Sequence, residues 1–250
     1  MRPTLNAIGL VVALYAAAVT CVPQDDLTRY GTPTTNYVQR GNYLVSPNGA
    51  TRSATWTLER LTPALLVGRG NRTGMDFKPD AESIPEARAT SASYAGSGFD
   101  KGHLAASANH PTSSAMLATY NFANCAPEVP DFNQRVWSSL ESHVRDIAHT
   151  ADETWIITAP IYTPSPGTKT LTIQFIGPDV VSVPPFVGKA ILVKRGDMLE
   201  MQAWIIPNKS GNSPNLDSFR VTTDQFESRL GCDCWSKLPV AQQTALGSRR

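Results

Sequence analysis

Apolar residues recur at helical spacing in one stretch of the chain and alternate or run together in several others. Over residues 131–150, Val136, Leu140, Val144 and Ile147 fall at i, i+4, i+8 and i+11, one buried stripe of an amphipathic helix. Asp131 follows Pro130 and is placed as the N-cap. Residues 43–46 and 54–61 flank Pro47-Asn48-Gly49 and predict a β-hairpin. Residues 120–126, 155–159, 171–176, 186–194 and 198–205 read as further strands. Thr222-Thr223-Asp224-Gln225 opens a last substantial helix with capping-box spacing. Strands, helix, strands, helix is the order of an α+β fold. Residues 67–97 show little periodicity and predict a long surface excursion. Residues 22–36 are polar and turn-rich, and predict a linker.

Composition narrows the class. The 250 residues are 41% hydrophobic and 17% charged, which excludes disorder over most of the chain. No apolar window reaches the roughly 18 residues of a membrane span. The length suits one domain with long loops, placed at 37–250. In residues 1–21 Arg2 is the only charge, and 7–19 is an apolar run rich in small residues, the layout of a secretory signal. Cys21 adds a lipidation site, so an exported chain is expected: secreted or periplasmic, or lipid-anchored through Cys21. Losing that segment removes one of 22 basic residues and none of the 21 acidic ones. A neutral chain does not attract polyanions through its overall field, so any polyanion must be held by a local cluster. Of the cysteines at 21, 125, 232 and 234, the last two lie too close for a zinc knuckle. Either could bridge to Cys125.

Candidate chemistry is concentrated in two places. Of four histidines, His143 and His149 fall on the polar side of the long helix, and His110 reads as structural. His103 ends Asp100-Lys101-Gly102-His103, with an acid, a base and a glycine beside the imidazole. At about 100° per residue, Asn133, Glu141 and Arg145 line one edge of the helix's buried face. An i,i+4 Glu–Arg pair on a solvated face is the bland alternative. One neutral amide oxygen suits Mg²⁺, which keeps most of its waters. A histidine base, a hydrated Mg²⁺ and an arginine are the parts needed for phosphodiester hydrolysis. No Gly-x-Ser-x-Gly elbow or Gly-x-x-x-x-Gly-Lys loop is present, and no Cys or carboxylate completes a zinc site with His103 and His110.

Asp100-Lys101-Gly102-His103 resembles the Asp-Arg-Gly-His signature of the DNA/RNA non-specific endonucleases, ββα-metal enzymes with mitochondrial and secreted members. Asn121-Phe122-Ala123-Asn124-Cys125-Ala126-Pro127 resembles the family strand YLSNIAPQ. Phe132-Asn133-Gln134 with Trp137, Leu140 and Glu141 resembles LNQGAWARLE, and Ile157-Thr158-Ala159-Pro160-Ile161-Tyr162 resembles VTGPLY. Phe219–Thr222 and Trp235 with Leu238-Pro239 continue the likeness in order, over roughly 43–246. The resemblance implies a ββα-metal nuclease fold, with a central antiparallel sheet flanked by helices. It implies a Mg²⁺-dependent endonuclease acting on DNA and RNA with little sequence preference and leaving 5′-phosphate ends.

Carried over by position, His103 is the general base and Asn133 the one direct ligand of a single Mg²⁺, for which Mn²⁺ can substitute. Glu141 holds metal-bound water, while Asn124 orders the site and takes part in substrate binding. Arg145 contacts the phosphate region. A loop arginine is expected to neutralise the transition state: Arg72 by spacing, with Arg69 and Arg88 as rivals. Lys101 departs from the family arginine, keeping the charge but losing the planar fork, and weaker phosphate positioning is expected. Cys125 reads as a small buried hydrophobe. DNA and RNA are the implied partners; a homodimer is compatible, and an inhibitor protein is left open. A nuclease-fold binding module without turnover is the alternative from another class.

Overall fold

The computed structural model describes residues 21–68, 70–81, 85–168 and 170–248. Its strands are β1 (Val38–Arg40), β2 (Tyr43–Asn48), β3 (Ser53–Leu61), β4 (Asp100–His103), β5 (Cys125–Glu128), β6 (Glu153–Ile161), β7 (Gln174–Ile176), β8 (Val181–Val183), β9 (Phe186–Arg195), β10 (Met198–Pro207) and β11 (Arg220–Val221). Its α-helices are α1 (Gln24–Leu27), α2 (Ser91–Tyr94), α3 (Ser113–Thr119), α4 (Ser138–Thr150), α5 (Thr223–Leu230) and α6 (Val240–Gly247). Seven strands form one antiparallel sheet in the order β1-β2-β3-β6-β9-β10-β11; β4-β5 and β7-β8 are separate two-stranded ribbons.

The strand period of two sorts the sheet's side chains. Trp155, Ile157 and Ala159 of β6 face a layer containing Leu27, Phe226, Trp235 and Leu238. Ile156 faces the opposite layer, with Leu140, Val144 and Trp137. Both faces of the central strands are covered, which is why 155–159 reads as an unbroken apolar run. The hairpin forms as expected, but its strands reach Asn48 and Ser53, with a register shift between Ser46 and Pro47.

Several expectations are corrected. Residues 22–36 do not behave as a linker. Val22 and Leu27 are buried in the core, the Trp155 indole donates to the Asp26 carbonyl at 2.9 Å, and Arg29 pairs with Glu153 at 2.7 Å. Polar composition hid a segment whose few apolar residues all point inward. The strand expected at 120–126 starts later. The Asn121 Oδ1 accepts from the Ala123 N–H at 2.8 Å and opens a 3₁₀ turn over Phe122–Asn124, so only Cys125–Glu128 is extended. Of 171–176, only Gln174–Ile176 pairs with a neighbour. Asp131 is not an N-cap. It already has helical dihedrals, and its carboxylate accepts from the Gly211 N–H at 2.9 Å and pairs with Arg135 at 3.1 Å. The helix enters through a π turn, Phe132–Trp137, before α4. The excursion at 67–97 carries Phe77, Ala89 and Tyr94 into a third apolar cluster with Phe122 and Cys125. α5 has the expected capping box, and α6 follows it. All four cysteines are free thiols, so neither Cys232 nor Cys234 bridges to Cys125.

Candidate active site

The β4-β5 ribbon pairs Asp100 with Glu128, Gly102 with Ala126 and His103 with Cys125. Gly102 is required sterically, because a Cβ there would run into the buried Glu128 carboxyl. Beyond β4, Asn124 fastens the chain. Its Oδ1 accepts from the Ala105 N–H at 2.7 Å, and its Nδ2 donates to the carbonyls of Ala105 and Thr119 at 3.0 and 2.9 Å. Asn124 is fully buried and its amide is committed. It orders the end of β4, and the expected substrate contact is corrected on that ground.

His103 lines a cleft of about 400 Å³ together with Arg72, Lys101, Tyr120, Asn133, Gln134, Glu141 and Arg145. Its ring lies between Phe77, 4.5 Å away, and the edge of Tyr120, 4.7 Å away. Its Nε2 is buried with no hydrogen-bond partner among the described residues. Burial first, then the nearby Arg72 and His110 charges, push its pKa down to about 3. The imidazole is therefore neutral near pH 7 and has a lone pair available for a proton.

The helix supplies the facing wall. Asn133 Nδ2 and Gln134 Nε2 both donate to Asp100 Oδ2, at 2.9 and 2.8 Å. A carboxylate only accepts, so Asp100 fixes the Asn133 amide with its nitrogen turned away and its Oδ1 uncommitted. Sequence reasoning gave Asp100 no role, although it stands in the motif. Burial raises the Glu141 carboxyl to about 7 against the opposing charges of Lys189 and Arg145. Arg145 donates to Ser142 Oγ at 2.9 Å and to Asn109 Oδ1 at 3.4 Å. Among the loop arginines, Arg72 reaches the cleft and its Nε donates to the Tyr120 hydroxyl at 3.1 Å. Arg88 does not line the cleft and donates to the Ala81 carbonyl at 2.7 Å. Arg69 lies outside the described residues.

Beneath the cleft lies a charged floor that the sequence did not reveal. Glu59, Thr158 and Lys189 project from β3, β6 and β9 on the helix-facing side of the sheet. The Lys189 ammonium donates to Thr158 Oγ1 at 2.5 Å and sits 5.0 Å over the Trp137 ring. Burial lowers its pKa while Glu59, Glu141 and Glu128 oppose that shift. Glu59 Oε1 accepts from Asn109 Nδ2 at 3.0 Å and lies 3.1 Å from His110 Nε2, which gives His110 the expected structural place. His143 and His149 are exposed on α4. Two other clefts, of about 430 Å³ each, contain no histidine.

A two-stranded ribbon ending in a neutral histidine, crossed by a helix carrying an oriented asparagine and a half-buried glutamate, defines a ββα hydrolase site. The sequence profile described as DNA/RNA non-specific endonuclease matches residues 23–241, and the chain belongs to that family. It is 35% identical to mitochondrial endonuclease G of Bos taurus over 241 residues, covering 91% of this chain and 81% of that protein. It is 34% identical to mitochondrial endonuclease G of Homo sapiens over 213 residues, covering 82% and 72%. A solved structure titled as the EndoG/EndoGI complex and the mechanism of EndoG inhibition superposes with a TM-score of 0.82 at 28% identity, covering 88% of this chain and 95% of that one.

The protein is accordingly a nuclease, a hydrolase of nucleic acid, with the expected α+β ββα-metal fold. The expectation of an exported or lipid-anchored chain is overturned, because these relatives are mitochondrial proteins by name. Of residues 1–21, on which the export reading fell, 1–20 lie outside the described residues. No helix among the described residues is long and apolar enough to cross a membrane.

Proposed function

We propose that the chain is a Mg²⁺-dependent endonuclease that cuts DNA and RNA with little sequence preference. The observation that carries this is the His103 Nε2, without a hydrogen-bond partner among the described residues, in the same cleft as an Asn133 Oδ1 uncommitted among them. His103 takes the proton of the attacking water. The new P–O bond forms as the bond to the 3′ oxygen breaks, leaving a 5′-phosphate. Arg72, Lys101 and Arg145 offset the charge that grows on the phosphate oxygens. Contacts of this kind go to the backbone and carry no base information.

The donor set fits a hydrated Mg²⁺. No group of three His, Cys, Asp or Glu side chains among the described residues could hold a metal ion. One amide oxygen, from Asn133, and a half-buried carboxyl able to accept from water on the metal, Glu141, would match an ion that retains most of its waters. When bound, Mg²⁺ supplies positive charge against the phosphate.

The test is cleavage of supercoiled plasmid and of a structured RNA by the full chain, with Mg²⁺ or with EDTA, and by His103→Ala. Metal-dependent cutting of both substrates is expected. The variant should keep its fold by circular dichroism and lose about 10²–10⁴-fold in rate, the range for a lost general base. Undiminished cutting by the variant would overturn the assignment.

A further inference from the structure

Three cations line the cleft: Arg72, Lys101 and Arg145. Arg72 and Arg145 bond to neutral partners, a phenol hydroxyl in one case and an amide oxygen and a serine hydroxyl in the other. Only Lys101 is in a salt bridge among the described residues. Its ammonium lies 2.6 Å from Asp76 Oδ1. Asp76 is 69% exposed in its side chain, so its carboxylate meets solvent while it pairs with a cation that lines the cleft. The same Oδ1 accepts from the Phe77 N–H at 2.8 Å, which fixes the carboxylate beside the ring that packs on His103. Lys101 holds the Asp76 carboxyl below the usual carboxylate range, with help from the Phe77 N–H, so it is ionised at neutral pH.

We propose that Asp76 is an electrostatic gate on substrate binding: its carboxylate occupies the Lys101 ammonium until a backbone phosphate of the nucleic acid displaces it. The inference rests on the nuclease reading of the cleft. A pair this exposed is weakly held, and lysine carries a compact charge on a flexible stem, so the ammonium can pass from carboxylate to phosphate. The gate sets a threshold. A single small anion engages few of the cleft's donors, whereas a polyanion reaching Arg72 and Arg145 as well gains enough to displace Asp76. Asp76 is thus a positioning residue that acts through Lys101 and tunes selection for extended phosphate backbones.

The test is a binding cycle on the full chain, using Asp76→Asn, Lys101→Met and the double variant. Asparagine keeps an acceptor for the Phe77 N–H and removes only the charge. Affinity for a fluorescent DNA duplex is read by anisotropy in EDTA, where turnover plays no part. Asp76→Asn is expected to bind about fivefold more tightly at moderate salt, the effect of one nearby unit charge in a mostly aqueous setting. Its log–log salt slope should steepen by about 0.9, one further phosphate neutralised. Lys101→Met should cost about twofold in the wild-type background, where the ammonium is already engaged, and about tenfold in the Asp76→Asn background. In Mg²⁺, Asp76→Asn should lower KM at unchanged kcat. Equal losses from Lys101→Met in both backgrounds would overturn the gate, and so would a fall in kcat with KM unchanged, which would mark Asp76 as a brace for Phe77. Failure of the wild type to cut plasmid in Mg²⁺ would bring down the nuclease reading itself, separately from the binding cycle.

Discussion

Glu128→Gln isolates one buried carboxyl from everything around it. Glu128 is fully buried on β5, and neither of its oxygens has a hydrogen-bond partner among the described residues. Burial raises its pKa well above the usual carboxylate range; Glu141 and Asp100 add to the shift and Lys189 opposes it. The folded chain therefore holds a proton that the unfolded chain releases above its ordinary carboxylate pKa. With more protons bound folded than unfolded, stability falls as pH rises, by up to about 1.4 kcal/mol per pH unit. This loss starts near the unfolded pKa and continues until pH passes the raised folded one. Between pH 5.5 and 7.0 the group can remove at most about 2 kcal/mol of stability from the wild type. Glutamine, the residue that ends the family strand YLSNIAPQ, has nearly the same shape and no charge to lose. Urea unfolding in EDTA at both pH values should show Glu128→Gln gaining on the wild type as pH rises, by up to about 2 kcal/mol. A constant difference between the two proteins, within about 0.5 kcal/mol, would refute the reasoning, because Glu128 would then be ionised in the fold and held by a partner.

Asp100→Asn removes the acceptor-only partner of Asn133 and Gln134, leaving the Asn133 amide free to turn either face to the cleft. The Mg²⁺ concentration for half-maximal cleavage should rise about 10–100-fold, as when an orienting partner of a metal ligand is lost, with little change in thermal midpoint; an unchanged requirement would show that Asp100 does not orient the amide. Gly102→Ala drives a methyl group into the Glu128 carboxyl and should cost about 1–3 kcal/mol by overpacking, read by the same urea titration. It should also lower activity through the displaced His103, and wild-type stability would show that the ribbon yields without cost.

Much of this arrangement was legible where a period carried it. The Val136, Leu140 and Val144 stripe fixed which helix edge meets the cleft, and Asn133, Glu141 and Arg145 stand on that edge. Strands β6, β9 and β10 stood out because both sheet faces are covered, leaving long apolar runs. The floor of the site was not legible. Glu59 and Lys189 occupy positions in strands where a charge normally marks the solvent side, and only the packing of α4 over that face turns them inward. Asp76 and Asp100 were equally hidden, since what each does depends on a residue 25 or 33 positions away, Lys101 or Asn133. Residues 22–36 failed for the opposite reason: Val22 and Leu27 among polar neighbours give no periodicity, yet both are buried.

The π turn explains why two residues eight positions apart can serve one small cleft. On a regular α-helix Asn133 and Glu141 would lie about 80° apart around the axis, one of them turning toward the side. The Ser138 N–H instead bonds to the Asn133 carbonyl, an i→i+5 contact within Phe132–Trp137. Each residue of such a wider turn advances less around the axis than in an α-helix, which narrows that angle. The wider turn thus brings the oriented amide and the Glu141 carboxyl toward the same cleft, which both line. It does so without moving Val136, Trp137 or Leu140 out of the core, where all three remain buried. The edge that a straight helix would turn toward the cleft is thereby narrowed, while the apolar stripe keeps its place in the core.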